Sequence, residues 1–554
     1  MAASMTSSIA GLSPARGLIA LVFLSLAAFL PGFAALPVTD RDEARFAQAA
    51  RQMVESGDPI DIRFGDEARL KKPAGIYWLQ AGAALASGQG DRAPLWVHRL
   101  PSLIGATAAV VLVAVAGAPL VGWSAALWAG ALMVVTLVLG AEARIAKTDA
   151  ALLATVLAAQ AVLMQLHMAG SVSKGRGMAY AFWLAVAAGV LLKGPIGPAV
   201  LALTATTLAL LRREARWLRP LAAPGPIVLA LAVALPWFVA ITLRDGADFW
   251  QGSVGVDLLP KIAAGQEGKG APPGSYLLAL WLTFWPGSVL LVLALPGLWR
   301  ERRTRPVQAL LAWAVPFWMV LEAVPTKLVH YPLPVYPALA LAAAAWGPAG
   351  LAMAGRGLRL AAALALLPGL LLGLGVLWFG FAHGSDLPAL WPLVLGLAAA
   401  TVLSGAAGLA LARRQVARIV PLSVLAGLAL YAGLFPGFAR LEALWPGHRA
   451  VAAAQRHAEA SGCTAAPDLV GWGYNEPSLI WLAGRDTRRI RANEALPDAV
   501  SAGARCTYII RARRDGLPPP PANANCPLIG QFEGLAIGAG KWVTLDLLTC
   551  EVAR

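Results

Sequence analysis

Asp40-Arg41-Asp42-Glu43-Ala44-Arg45 opens a polar loop, and Lys71-Lys72-Pro73-Ala74-Gly75-Ile76-Tyr77-Trp78 closes it. The loop runs from about residue 36 to residue 98, just after the first apolar segment, residues 17–36. Acids and bases at a membrane boundary are costly to place, which makes them functional candidates. Within residues 44–55, Phe46, Ala50 and Met53 recur at helical spacing between polar neighbours, which predicts an amphipathic helix lying along the interface. Ser56-Gly57-Asp58-Pro59 stops it. Residues 74–86 are apolar but short; whether they cross the bilayer decides the sidedness of everything downstream.

Working outward, the 554 residues are 58% hydrophobic and 14% charged, which excludes an ordinary soluble domain. Apolar stretches recur at a length that spans a hydrocarbon core of about 30 Å, and they lack the alternation of a membrane barrel. Thirteen are expected: residues 17–36, 100–118, 123–140, 150–169, 178–192, 195–211, 223–243, 275–298, 306–324, 331–346, 358–381, 387–412 and 419–438. Basic clusters sit at Lys174 and Arg176, at Arg212, Arg213, Arg216 and Arg219, and at Arg300, Arg302, Arg303 and Arg305. Two more follow, at Arg356 and Arg359 and at Arg413, Arg414 and Arg418. Each cluster follows an even-numbered span, so a cytoplasmic N-terminus puts all five inside, as the positive-inside rule asks. Counting residues 74–86 as a span would put all five outside. That segment is therefore read as interfacial or re-entrant. The same rule explains the excess of 45 basic over 30 acidic residues without a nucleic-acid partner.

This topology gathers the unusual polar residues on one outer face. Asp42 and Asp149 lie near the ends of different helices there, although Thr148-Asp149 also reads as a helix cap. Lys193-Gly194-Pro195 interrupts a long apolar run, and its lysine must reach water or an anion. Lys71, Lys72, Arg144, Lys147, Lys193, Lys327 and His330 would ring a cavity that suits phosphate. No Walker-type loop is present, and the six histidines show no metal-ligand spacing. Residues 1–436 form the membrane part, with residues 36–98 as its first outer loop. Residues 437–554 read as a separate, small α/β domain on the same face: a helix at 450–461, strands at 469–472, 507–511 and 542–548, a helical turn at 477–483, and a stiff Pro518–Pro521 run. All four cysteines, Cys463, Cys506, Cys526 and Cys550, fall in that domain, where oxidation is expected; three pairings are open.

The ordered motifs resemble those of bacterial transferases related to protein O-mannosyltransferases, and most nearly the lipid A aminoarabinose transferases. They are Asp42-Glu43-Ala44-Arg45-Phe46-Ala47, Lys72-Pro73 with Tyr77-Trp78, Ala143-Arg144 with Thr148-Asp149, Leu192-Lys193-Gly194-Pro195, Pro236-Trp237, and Lys327-Leu328-Val329-His330-Tyr331-Pro332-Leu333-Pro334. The resemblance implies an α-helical polytopic glycosyltransferase of the GT-C type, with interfacial helices after the first span and a periplasmic domain at the end. It implies a polyprenyl-phosphate sugar as donor, a lipid or glycan acceptor at the bacterial inner membrane, and membrane lipids as surroundings. It carries catalytic roles to Asp42 and Asp149. Donor-phosphate binding carries to Arg45, Lys72, Lys193 and Tyr331, with Glu43, Tyr77, Arg144, Lys327 and His330 as further cavity candidates. The family's Glu-Lys-Pro is Lys71-Lys72-Pro73 here, and Lys269 stands where a histidine is usual. No cofactor is expected, and a divalent metal stays open. Transfer to a protein hydroxyl is the alternative within the family; a lipid or solute transporter is the alternative outside it.

Overall fold

The computed structural model describes residues 13–39, 41–169, 175–263, 270–463, 467–494, 506–513 and 526–549. Asp40, Lys174, Lys269, the Pro518–Pro521 run and Cys550 lie outside the described residues. Among the described residues, eight helices are long and apolar enough to cross a membrane. A ninth arises from Ser275–Thr283 with Gly287–Arg300, two helices bent by 119° at a short break. Pro14–Phe29, Gly177–Lys193 and Ile196–Arg212 are shorter apolar helices.

The helix Leu95–Val134, 40 residues long, is not one rod. A straight helix of that length would extend about 60 Å, twice the hydrocarbon core. Gly122 breaks it, with φ 79° and ψ 158°, a conformation that the absence of a Cβ permits. The chain turns back there: a Cβ on Gly130 would lie 3.1 Å from the Val110 carbonyl oxygen and 2.7 Å from Leu21. In a continuous helix those two positions would be about 30 Å apart. Residues 100–118 and 123–134 are thus two antiparallel segments, packed against the first helix.

The helices share one large apolar core, and their outward side chains suit lipid. Only 28% of the most apolar window of Pro224–Asp245 and of Arg356–Ala382 is buried, and Leu243, Leu371 and Trp378 stand on their exposed faces. Water would expel such surfaces; hydrocarbon does not.

Between the first two membrane segments lies the helix Asp42–Ser56, ended by Gly57 in the left-handed conformation. Its buried side carries Phe46, Ala50 and Met53, as its spacing predicts. The helix Gly75–Ala86 has 12 residues, about 18 Å, and packs on it; that length does not cross a bilayer. A two-stranded hairpin, Arg63–Phe64 with Glu67–Ala68, joins them.

The last part of the chain folds as a five-stranded sheet. Its order is Arg488–Ile490, Asp468–Trp472, Thr507–Ala512, Lys541–Thr549 and Leu528–Ala536. The first three run parallel and the last two pairings are antiparallel. Pro446–Ala460 covers one face, and Ser478–Ala483 follows Asp468–Trp472. The three strands and two helices expected from the sequence are present; Arg488–Ile490 and Leu528–Ala536 complete the sheet. This domain sits on the interfacial helix. The Arg51 guanidinium lies 3.6 Å from the Trp481 ring centroid and donates to the Trp481 carbonyl at 3.1 Å. The Val38 amide donates to His448 Nε2 at 3.1 Å. Cys463 and Cys506 form a disulfide across 43 residues of chain. Cys463→Ser is expected to remove about 2–5 kcal/mol from the domain. Limited proteolysis of the full chain should show faster cutting within residues 437–554 and unchanged cutting of the membrane part.

Candidate active site: a cation-lined cavity over the helix ends

Several helix termini open into one cavity. Asp42 begins the interfacial helix, Asp149 begins Asp149–Ala169, and Lys193 ends Gly175–Lys193, next to the broken turn at Gly194 and Pro195. An acid at a helix N-terminus and a base at a C-terminus each sit at the favourable end of the macrodipole. The lining comprises Arg41, Asp42, Arg45, Phe46, Arg69, Lys71, Lys72, Lys147, Thr148, Asp149, Lys193, Asp257, Lys261, Thr326, Leu328, His330 and Tyr331. Eight basic side chains thus face three carboxylates.

Asp149 is the hub of a buried network. Lys193 Nζ donates to its Oδ1 at 2.5 Å, and Lys147 Nζ lies 3.9 Å from its Oδ2. Lys147 also donates to Glu142 Oε1 at 3.2 Å. His330 bridges the two acids, with Nδ1 3.6 Å from Glu142 and Nε2 3.7 Å from Asp149. Burial, reinforced by the Lys147 charge, brings His330 down to about 3, so it is neutral at pH 7. Burial also pushes Glu142 up to about 7, against the pull of Lys147. The Lys193 ammonium sits 5.6 Å from the Tyr331 ring centroid, a cation–π contact.

Asp42 stays ionised. Burial would raise its pKa, but Lys147, Arg69 and Arg45 outweigh it and hold the carboxyl below its ordinary range. Its side chain is 48% exposed, open toward the cavity, with Arg45 Nη1 4.0 Å away. Lys72 donates to Asp257 Oδ2 at 2.6 Å. Burial brings Lys72 down to about 8, with Asp257 opposing the shift.

Asp42, Arg45, Lys72, Asp149, Lys193, His330 and Tyr331 therefore meet in one cavity, from four separate regions of the chain. Tyr77 lies beneath the lining: it is fully buried, and its hydroxyl accepts from Arg69 Nε at 2.9 Å. Three other candidates are not lining groups. Glu43 turns away from the cavity and is fully buried, with Arg99 Nε donating to it at 2.8 Å and the Thr39 and Ala146 amides at 2.8 and 2.9 Å. Arg144 turns inward, donating to the carbonyls of Pro31, Gly140 and Ala28 and lying 3.7 Å from the Phe435 ring centroid. Lys327 Nζ is spent on the Leu321, Glu322 and Val324 carbonyls, at 2.6 to 2.8 Å, and caps a helix end. Arg69, Asp257 and Lys261 are lining residues that the motifs did not point to. Among the described residues no group of three His, Cys, Asp or Glu could hold a metal ion.

The fold and cavity define a multi-pass membrane protein with a cation-lined cavity at its helix ends. A family model described as dolichyl-phosphate-mannose-protein mannosyltransferase matches residues 19–249. Among curated relatives, the undecaprenyl phosphate-alpha-4-amino-4-deoxy-L-arabinose arabinosyl transferase of Pectobacterium carotovorum is 29% identical over 379 residues, 66% of this chain and 64% of that one. The protein of the same description from Aeromonas hydrophila is 28% identical over 321 residues, 56% of each chain. The matches thus span less than two thirds of those relatives' own length. The crystal structure of ArnT from Cupriavidus metallidurans bound to undecaprenyl phosphate superposes with a TM-score of 0.73 at 18% identity, over 95% of this chain and 97% of that one. The chain shares that fold, and the resemblance read from its motifs holds: its sequence is similar to the mannosyltransferase family model over residues 19–249 and to the aminoarabinose transferases.

Proposed function

We propose that the protein transfers a sugar from a polyprenyl-phosphate donor to an acceptor at the periplasmic face of the bacterial inner membrane, with lipid A or another envelope glycolipid as acceptor. The observation that carries this is the convergence of Arg45, Lys72 and Lys193 with the two carboxylates Asp42 and Asp149 in one cavity at the membrane boundary. In this reading the thirteen segments, counting the two halves of Leu95–Val134, are all spans. The N-terminus is cytoplasmic, and the sheet domain lies outside, packed on the interfacial helix. Residues 1–436 and 437–554 are then the membrane and periplasmic units.

The reaction is a single inverting displacement. An acceptor oxygen attacks the anomeric carbon, the bond from that carbon to the phosphate oxygen breaks, and the polyprenyl phosphate leaves with one more negative charge. Arg45 and Lys72, with Lys193 and Tyr331 behind them, stabilise that charge as it grows. Asp149 holds Lys193 and Lys147 in place. Asp42 takes the proton of a hydroxyl acceptor or, if the acceptor is a phosphate already ionised above a pKa of about 6, orients it. A carboxylate held below its ordinary range is a weak base, which favours the ionised acceptor. The match to the mannosyltransferase family model favours a protein hydroxyl as the second reading.

Radiolabelled polyprenyl-phosphate sugars incubated with the purified protein and with lipid A or periplasmic protein separate the two readings by the class that gains label. Label gained by neither class, with the lipid donor uncleaved, sinks the transferase reading. The Lys72 ammonium also sets a pH dependence. It is charged below about 8 and loses its proton as pH rises through that value, so phosphate affinity should be full below and decline above. Binding of polyprenyl phosphate, titrated roughly a unit either side of that point, checks the sign.

A further inference from the structure

Gln251–Leu258 is a π-helix, a conformation rare beyond a single turn and concentrated at functional sites. It passes into the short helix Leu259–Ala263. The segment is drawn onto the Lys71–Lys72 turn by a close backbone approach: a Cβ at Gly252 would stand 3.0 Å from the Leu70 carbonyl oxygen. At its far end Asp257 enters the cavity, with its side chain 11% exposed. Its Oδ2 accepts from Lys72 Nζ at 2.6 Å and its Oδ1 from Lys261 Nζ at 2.7 Å. A carboxylate clamped by two ammonium groups has the charge and the acceptor geometry of a bound phosphate.

We propose that Asp257 is an internal counter-anion of the donor-phosphate site. Its carboxylate holds Lys72 and Lys261 while the cavity is empty, gives them up to the donor phosphate, and takes them back as the spent carrier leaves. The inference rests on the transferase reading above and concerns the polyprenyl phosphate alone. Because the phosphate must displace a carboxylate already in place, Asp257 weakens binding of the lipid phosphate. The same competition speeds loss of the product, whose extra charge would otherwise hold it against so many cations. No bond is made or broken in the exchange; one anion replaces another on two ammonium groups.

The test is the affinity of the full-length protein in detergent for a polyprenyl phosphate, measured for the wild type, Asp257→Asn and Asp257→Glu. Asn keeps the shape and removes the charge. Asp257→Asn is expected to bind about tenfold more tightly, with the donor KM and kcat falling together, whereas Asp257→Glu stays near the wild type. A merely structural role would instead raise KM and lower the melting temperature. Should Asp257→Asn fail to fold, Asp257→Ser is measured in its place. Equal or weaker binding by a folded, uncharged variant overturns the proposal and leaves the transferase reading intact. A wild type that binds no polyprenyl phosphate overturns both.

Discussion

Asp42→Asn is expected to cut sugar transfer by about 100-fold or more while leaving donor binding within a few-fold. Asn preserves the side chain's size and its position at the helix start, so the loss isolates the charge. Asp42 opens into the cavity beside Arg45 and is held ionised by Lys147, Arg69 and Arg45. Its depressed pKa has a second consequence. The activity of the wild type should not fall on this group's account between neutral pH and the ordinary carboxylate range, because Asp42 takes up its proton only below that range. A pH–rate profile with an acid limb near pH 6 would show that another group limits the reaction; Glu142, pushed up to about 7, is the first to examine. Full turnover by Asp42→Asn would remove the residue from the chemistry in either acceptor reading. Mass spectrometry of lipid A, core glycans and periplasmic glycopeptides, with both forms at matched expression, then names the acceptor class that loses its sugar.

Arg99→Ala should be the most destabilising single change in the polar region, at about 3–5 kcal/mol. Arg99 is fully buried and donates to both Glu43 oxygens and to the carbonyls of Phe33, Leu36 and Pro37. Its removal leaves the Glu43 carboxylate buried, with only the Thr39 backbone and hydroxyl donors and the Ala146 amide. Glu43→Ala strands Arg99 in the same way. The double variant Glu43→Met with Arg99→Met removes both charges and should cost less than the two singles combined. Thermal unfolding in detergent measures all three. Burial would raise the Glu43 pKa, but Arg99 and the Thr39 and Ala146 amides hold it below its ordinary 4.5. Its contribution is therefore complete above that pH and is lost as pH falls through the lower, folded value.

Much of this was legible in the chain because membrane segments advertise themselves. Apolar length located the helices, and the order of the polar motifs between them pointed to Asp42, Lys72, Asp149, Lys193 and His330 as neighbours. The direction of a side chain was not legible. Asp42 and Glu43 are neighbours on one helix, about 100° apart around it, so one faces the cavity and the other the protein. Arg144 and Lys147 share one short loop; the first folds inward onto carbonyls and the second meets Asp149. Lys327 looked like a cavity cation because a helix C-terminus that needs a donor leaves little trace in composition. Asp257 and Lys261 escaped for another reason. Asp257 stands in a π-helix and Lys261 in the five-residue helix that follows it, too irregular and too short to show a 3.6-residue or a 2-residue period. The hairpin at Gly122 was anticipated as two spans, but nothing in the residues around that glycine specified how sharply the chain reverses.

The sheet domain is held to the interfacial helix by residues far apart in the chain. Arg51 meets Trp481 across 430 positions of chain, and Val38 meets His448 across 410. During synthesis the interfacial helix is therefore laid down long before the residues that pack on it, 430 positions earlier in the case of Arg51. A half-made chain holds Asp42 and Asp149 but lacks the domain that packs on the interfacial helix. The interfacial helix must therefore stay partly uncovered until its late-made partner docks on it.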